Sequence, residues 1–377
     1  MTFEPELEQF RDMVLRFTRD EIEPHVFDWE ERGEFPRDLY FKAAKAGILG
    51  AGFPEELGGS GGDALYPLVA AEALLTAGST GVMVGLQSLG IALPPIMNLG
   101  DASQKDRFVR PVLNGKKVAA LGVTEPGAGS DVSGIKTRAV RDGSDYIING
   151  SKLYITSGIR ADYVTVLART SDDPHGGLTF FVVEKGMAGY RASKPLKKTG
   201  WWASDTAALY FDDVRVPMEN RIGDEGTGFV AVMQNFVGER LALAFYGHAT
   251  AEVALAEAIA YAKSRTAFGK SLSGFQVTRH KLAKMATQVE AAKAFNYSLA
   301  HRIRNGEQPV AEVAMAKNFS AQIAIDVCYE AVQIFGGMGY MRESKVERLS
   351  RDARLLPIGG GTSEIMNEVI SRWHLKL

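Results

Sequence analysis

The chain has 377 residues, 46% of them hydrophobic, and a formal net charge of −2. That length divides into two or three packed regions rather than one small core. The near-neutral charge gives no electrostatic case for nucleic acid or an anionic membrane surface. A single cysteine, Cys328, excludes an intrachain disulfide framework and points to a reducing compartment.

The start, MTFEPELEQFRDMVLRF, carries acids and lacks a basic segment followed by an apolar run, so no signal peptide is expected. No apolar run approaches the ~18 uninterrupted residues of a membrane span. A cytoplasmic location is the expectation. Residues 1–116 read as a helical domain. Leu7, Phe10, Met13, Val14 and Phe17 recur at spacings of three and four, as an amphipathic helix requires. ALYPLVAAEALL follows the Gly-rich break EELGGSGGD, a third helical stretch lies around TGVMVGLQSLGIAL, and Pro94 and Pro95 interrupt the pattern.

Between 117 and 222 the texture changes. The strand-like runs YIIN, KLYIT, YVTVLA and LTFFVVE alternate with turn signals. Asp142-Gly143 and Asn149-Gly150 are both hairpin-turn dipeptides, which predicts a compact antiparallel β-domain. After PMENRIGDEGTG, residues 223–377 return to helical periodicity in long stretches with few prolines, which predicts a helix bundle.

Common signatures are absent: there is no phosphate-binding P-loop, no GxGxxG, and no metal-ligand spacing among the six histidines. Gly58-Gly59-Ser60-Gly61-Gly62 fits GxSxG but lacks the strand before it and the helix directly after it of a nucleophile elbow, and reads as a flexible turn. The informative segment is FVAVMQNFVGERLALAFYG. Val232, Phe236, Glu239, Leu243 and Tyr246 share one helical face, so Glu239 sits in an apolar stripe. A carboxylate there must be paired or carry a raised pKa. It is either half of a buried ion pair that fixes packing, or a functional group.

Two glycine-rich segments add to this. GVTEPGAGSDVSG combines closely spaced glycines with hydroxyl side chains, which suits backbone approach to a ligand or an ordinary tight turn. PIGGGTSEIMNEVI places glycines before a helix whose first turn holds Thr362, Ser363 and Glu364, which suits an anion, a polar cofactor edge, or only a helix cap.

GVTEPGAGSDVSG, RTAFGKSLSGFQ and QIFGGMGYMRESKVERLSRD, in that order on a helical–β–helical layout, resemble the acyl-CoA dehydrogenase family over essentially the whole chain. The resemblance implies an α+β fold: an N-terminal helical domain, a middle β-barrel-like domain and a C-terminal four-helix bundle. It implies FAD as cofactor, contacted by Thr124, Ser130, Tyr154, Ile155 and Thr156, with Arg265, Phe268, Gln276, Gln333, Gly336 and Gly337 at its ADP portion and Thr362 and Glu364 as further cofactor-binding residues. Part of that set would serve a neighbouring subunit's flavin, which implies a homo-oligomer, usually a tetramer. Ser130, Arg240, Gly360 and Gly361 would face an acyl-CoA substrate, and an electron-transfer flavoprotein would take the electrons.

Most members carry the catalytic base immediately before Gly-Thr, where this chain has Gly360. Long-chain and isovaleryl-CoA dehydrogenases place it instead in a Glu-Arg pair that matches Glu239-Arg240. The resemblance therefore implies Glu239 as base in α,β-dehydrogenation to the trans-2-enoyl-CoA, on a medium, long or branched acyl chain. Gly359 and Gly360, lacking side chains, are expected to leave room for such a chain. The alternatives are a flavin oxidase or monooxygenase on the same fold, and a non-catalytic acyl-CoA-binding protein.

Overall fold

Helix boundaries follow local chemistry. In the computed structural model, which describes residues 4–377, α1 (Pro5–Phe17) starts with Pro at its first turn and buries Leu7, Val14 and Phe17. Residues 1–3, part of the first expected region and of the start read as lacking a signal peptide, lie outside the described residues. Helices α2 (Val26–Arg32), α3 (Asp38–Lys45) and α4 (Leu65–Leu75) follow. Ser79 caps α5 (Thr80–Gln87), accepting from the N–H of Val82 at 3.0 Å. The chain then bends by 41° into α6 (Leu89–Ala92) and α7 (Pro94–Leu99). Pro94 and Pro95 open α7 instead of ending a helix, since a first-turn proline lacks only an N–H that has no helical partner. Helices α8 (Ala102–Phe108), closed by an Asp101–Gln104 capping box, and α9 (Arg110–Leu113) complete the region.

The middle region is one eight-stranded sheet among the described residues. Its strands are β1 (Ala119–Gly122), β2 (Arg138–Asp142), β3 (Asp145–Thr156), β4 (Tyr163–Arg169), β5 (Leu178–Glu184), β6 (Tyr190–Ala192), β7 (Thr206–Pro217) and β8 (Arg221–Ile222). The hydrogen-bonded order is β6-β7-β3-β2-β4-β5-β8, with β1 added on β4. The sheet is mixed, where the sequence suggested purely antiparallel pairing: β1 runs parallel to β4, and β2 touches β4 in parallel register at Arg138 and Arg169. Ala120, Ala139, Ile148, Val166, Phe181, Leu209 and Val216 from six strands share one core, so the sheet wraps around its own interior as a barrel-like layer. The opposite faces of β4 and β5 (Leu167, Leu178, Phe180, Val182) pack into the helical core, so both strands are buried on both faces up to their last residues, Arg169 and Glu184, and are mostly apolar.

Only one of the two turn dipeptides makes a hairpin. Asp142-Gly143 turns β2 into β3, with Gly143 at φ +64°. Asn149-Gly150 lies inside β3 at an irregularity in its pairing with β7. Gly150 adopts φ +147°, where a Cβ would stand 2.5 Å from Thr137 Oγ1, and the Asn149 side chain bonds the backbone and carboxylate of Asp213. The glycine is used for close approach, and the strand runs through it.

The last region is built on α10 (Gly228–Ser264), α11 (Gln276–Arg304) and α12 (Val310–Phe335), with the short α13 (Lys345–Ala353) and α14 (Ser363–Ile370) closing the fourth side. Gly247 lets α10 and α12 approach closely, since a Cβ there would sit 2.7 Å from the Ser320 carbonyl. No single helix among the described residues is long and apolar enough to cross a membrane.

Candidate active site

The apolar stripe on α10 holds its expected geometry. Val232 and Leu243 are buried, and Phe236 and Tyr246 pack against the cores on either side of Glu239. Glu239 makes no ion pair and no side-chain hydrogen bond among the described residues, so it is not half of a packing ion pair with Arg240. Burial pushes its carboxyl up to about 7, against the opposing charges of Arg240 and Lys317. The buried Tyr246 phenol is pushed up by its surroundings and then by Glu239's charge.

The carboxylate faces the glycine turn before α14. A Cβ on Gly360 would lie 3.7 Å from Glu239 Oε1, and only 2.4 Å from Leu243 Cδ1. The room expected at Gly360 is thus taken by Leu243, whereas a Cβ on Gly359 would meet nothing closer than 3.8 Å. Gly360 and Gly361 take φ +66° and +105°, conformations that favour glycine. Two buried cations hold the turn. Arg240 Nε donates to the Gly360 carbonyl at 3.1 Å, and Lys317 Nζ, on α12, donates to the Gly361 carbonyl at 2.5 Å. Among the described residues the backbone N–H of Gly360 has no protein acceptor. A free N–H beside an unpaired carboxylate suits the removal of a proton next to a carbonyl, with the developing oxyanion stabilised by the donor. Thr362 caps α14 by accepting from the N–H of Ile365 at 3.3 Å, and exposed Glu364 lies in its first turn.

A second group of predicted residues gathers at the edge of the barrel. The carbonyl of Thr124 accepts from the N–H of Leu153 at 2.8 Å, in the gap where β3 departs from its register with β7. That excursion puts Tyr154 at φ +62° and leaves the residue 67% exposed, beside the loop that ends in exposed Ser130. Ile155 is different: its side chain is buried in the barrel core, so only its backbone is available to a ligand. Thr156 pairs with Thr206 and is half-buried. A Cβ on Gly127 or Gly129 would meet nothing within 4 Å. An exposed aromatic face, hydroxyls and an open glycine loop fit a flavin in stacking and donor chemistry.

The third group lies elsewhere. Tyr261 near the end of α10 stacks on Phe335 at the end of α12, with ring centroids 4.1 Å apart, and so joins Arg265 and Phe268 to Gln333, Gly336 and Gly337 at one end of the bundle. Gln276 begins α11 there and is exposed. Phe268 is 96% exposed, at φ +50°. Arg265 follows directly on the last residue of the helix that carries Glu239, and at 1.5 Å per residue the two are about 39 Å apart along it. A single chain therefore does not bring this set to Glu239.

Three further residues that matter here were not singled out in the sequence. Lys317 occupies the buried face of α12 with Val313, Ser320, Ala321 and Ala324, which is the same anomaly that marks Glu239. Lys152 faces inward on β3 in step with Tyr146 and Ile148. Its Nζ bonds Glu125 Oε1 at 2.8 Å and the Val123 carbonyl at 3.0 Å, and Glu125 also accepts from the N–H groups of Lys136 and Thr137. This buried pair ties the glycine loop to the barrel. The alternation of β3 was a usable signal for Lys152; nothing local marks Glu125 as its partner.

Residues 4–116, 120–214 and 226–375 match the N-terminal, middle and C-terminal domains of acyl-CoA dehydrogenase, respectively. The chain is 40% identical over 373 residues to the mitochondrial long-chain specific acyl-CoA dehydrogenase of Mus musculus, covering 98% of this chain and 86% of the relative. A crystal structure of a probable acyl CoA dehydrogenase from Mycobacterium abscessus superposes with a TM-score of 0.96 at 51% identity, covering 98% of both chains. Butyryl-CoA dehydrogenase from Megasphaera elsdenii gives a TM-score of 0.95 at 36% identity, covering all of this chain and 99% of that one. The chain belongs to the acyl-CoA dehydrogenase family, whose members are flavin-dependent oxidoreductases.

Proposed function

We propose that the protein is an FAD-dependent dehydrogenase that converts an acyl-CoA thioester to the trans-2-enoyl-CoA, with Glu239 as the base. The observation that carries this reading is the unpaired carboxylate of Glu239, raised to about 7 and directed at the Gly360 turn. A carboxylate largely withdrawn from water and without a partner is a stronger base than one in solution, and its proton affinity is matched to neutral pH. The N–H of Gly360 would donate to the thioester oxygen and stabilise the negative charge that develops on it, while Glu239 holds the proton from Cα.

Thr124, Ser130, Tyr154, Thr156 and the backbone of Ile155 would hold the isoalloxazine and ribityl end of FAD, with Thr362 and Glu364 close to it. Arg265, Phe268, Gln276, Gln333, Gly336 and Gly337 would hold the ADP end. When bound, the flavin supplies the acceptor for the hydride that leaves Cβ. The distance between the Arg265 set and Glu239 supports a homo-oligomer in which one subunit completes its neighbour's cofactor site, and a homotetramer, a dimer of dimers, is the proposed form. Arg240 and Gly361 support the turn that faces substrate, and Ser130 would contact the CoA end. An electron-transfer flavoprotein is the proposed electron acceptor.

A medium, long or branched acyl chain is the proposed substrate. The missing side chain at Gly359, where a Cβ would reach only ordinary contact with Leu355, supports it, and so does the position of α6 against α10, where Asn235 Nδ2 donates to the Ile91 carbonyl at 3.4 Å one turn before Glu239. A methylene more or less changes binding by only about 1–3 kcal/mol, so the preference is expected to be graded.

The test is an anaerobic mixing experiment that follows flavin absorbance with straight and branched acyl-CoAs. Wild type is expected to bleach, and Glu239→Gln to bleach about 10³-fold more slowly while still binding the thioester. No bleaching with any thioester removes the dehydrogenase reading, and hydrogen peroxide release in air at the turnover rate would favour an oxidase.

A further inference from the structure

Resting on the function just proposed, we propose that Lys317 is a positioning residue of the same site: its buried ammonium holds the Gly361 carbonyl and stands as a countercharge to ionised Glu239.

The geometry comes first. Lys317 is fully buried on α12, and its Nζ donates to the Gly361 carbonyl, yet it forms no salt bridge among the described residues. A buried ammonium bonded to one carbonyl is a poor device for stability, because desolvating the charge costs more than one hydrogen bond returns. An apolar side chain of the same length would serve packing better. What the ammonium adds is charge at a chosen place.

That place is defined by two successive peptides. The Gly360 carbonyl is held by Arg240 from α10, and the Gly361 carbonyl by Lys317 from α12. The next residue on α12 extends the grip, since Asn318 Nδ2 donates to the Ser363 carbonyl at 3.1 Å. Three contacts thus fix the turn that carries the free Gly360 N–H, and two of them are cationic. The close α10–α12 approach at Gly247 sets the spacing that lets both cations reach the turn.

The charged and titratable groups facing this cluster are few. From α10 come Glu239, Arg240 and Tyr246; from α14, Glu364. Burial, then Arg240, pushes Lys317 down to about 8, and Glu239 and Glu364 oppose that. Near neutral pH it therefore carries charge, and that charge favours ionised Glu239 against the desolvation that disfavours it. Without Lys317 the carboxyl would hold its proton to higher pH, and less of the enzyme would be poised to accept one from substrate.

Four proteins separate charge from structure: wild type, Lys317→Met, Lys317→Gln (a donor without charge) and Lys317→Arg (both). The first readout needs no turnover. The infrared carbonyl band of protonated Glu239, taken as the difference from Glu239→Gln, is titrated with pH in the resting protein. The half-point is expected to rise by about one pH unit in Lys317→Met and Lys317→Gln and to return in Lys317→Arg. The second readout is the bleaching rate, whose acid limb moves with the half-point, with kcat falling more than KM rises. A folded Lys317→Met or Lys317→Gln protein that titrates like wild type overturns the proposal. If Lys317→Met does not fold, Lys317→Gln carries the same test. Failure of the dehydrogenase reading shows separately, as wild type that never bleaches while its Glu239 half-point still responds to Lys317.

Discussion

Arg240 Nε donates to the carbonyl of Gly360 at 3.1 Å across 120 residues of chain. The bond couples the helix that carries the proposed base to the turn that carries the proposed oxyanion donor. Glu239 and Arg240 are neighbours in sequence, so whatever moves the turn also moves the base. The moment that Leu243, one helical turn later, fills the space a side chain at 360 would need, the turn is confined to glycine.

Gly360→Ala tests that confinement. An L-residue at φ +66° costs about 1–2 kcal/mol, and the overlap with Leu243 adds to it. A total loss of about 2–3 kcal/mol is expected, read as a lower urea midpoint with an unchanged slope. Adding Leu243→Ala should recover only the steric part, so the double variant is less destabilised than the sum of the two singles.

The pH dependence of Glu239 has a definite sign. As a base it must be ionised, so kcat/KM is expected to rise with pH through about 7 and level off above it. Stability runs the other way. The folded value lies above the ordinary 4.5, so the contribution is complete below about pH 4.5 and lost as pH rises through about 7. Glu239→Gln should therefore be more stable than wild type at pH 8, by up to about 3 kcal/mol, with little difference at pH 4.5. Urea titrations at the two pH values read this directly.

Lys152→Met leaves the buried Glu125 carboxylate without its ammonium. A loss of about 3–4 kcal/mol is expected, together with faster release of flavin as the 123–130 loop loosens. Lys152→Met combined with Glu125→Gln should regain part of the stability, since the stranded charge is gone. Thermal melts and flavin retention on gel filtration measure the two effects.

Glu30 and Asp352 meet at the junction of all three regions. Thr80 and Trp201 donate backbone N–H groups to Asp352 at 3.0 and 2.6 Å, and Ser79 donates to Glu30 at 2.5 Å. Burial, and then the charge of Glu30, pushes Asp352 up to about 7. Its contribution is complete below the ordinary carboxylate range and lost as pH rises through about 7, so the melting temperature should fall between pH 5.5 and 8.5. Glu30→Gln removes the like charge and should make that fall shallower, which a melting series across the range resolves.

Much of this was legible in the residues themselves. The three textures along the chain come from periods of 3.6 and 2, which depend only on near neighbours. The Glu239 anomaly was legible for the same reason, since a charge on an apolar stripe is visible within one helix. The same test applied to α12 and β3 would have marked Lys317 and Lys152. It could not have paired them with Gly361 and Glu125, because those contacts depend on how the elements pack.

Local signals failed where one residue type serves two ends. Asp142-Gly143 and Asn149-Gly150 look alike in sequence, yet one turns the chain and the other admits Thr137 against a continuous strand. The glycine at 360 suggested open space, and Leu243 had taken it. Composition and periodicity determined the regions, the helices and the candidate base. Tertiary structure decided that Glu239 has no partner, that two cations hold the turn in front of it, and that the Arg265 set lies too far away to join it within one chain. Burial and charge are sums over everything nearby in space, and residues 120 apart in the chain become neighbours only once the helices have packed.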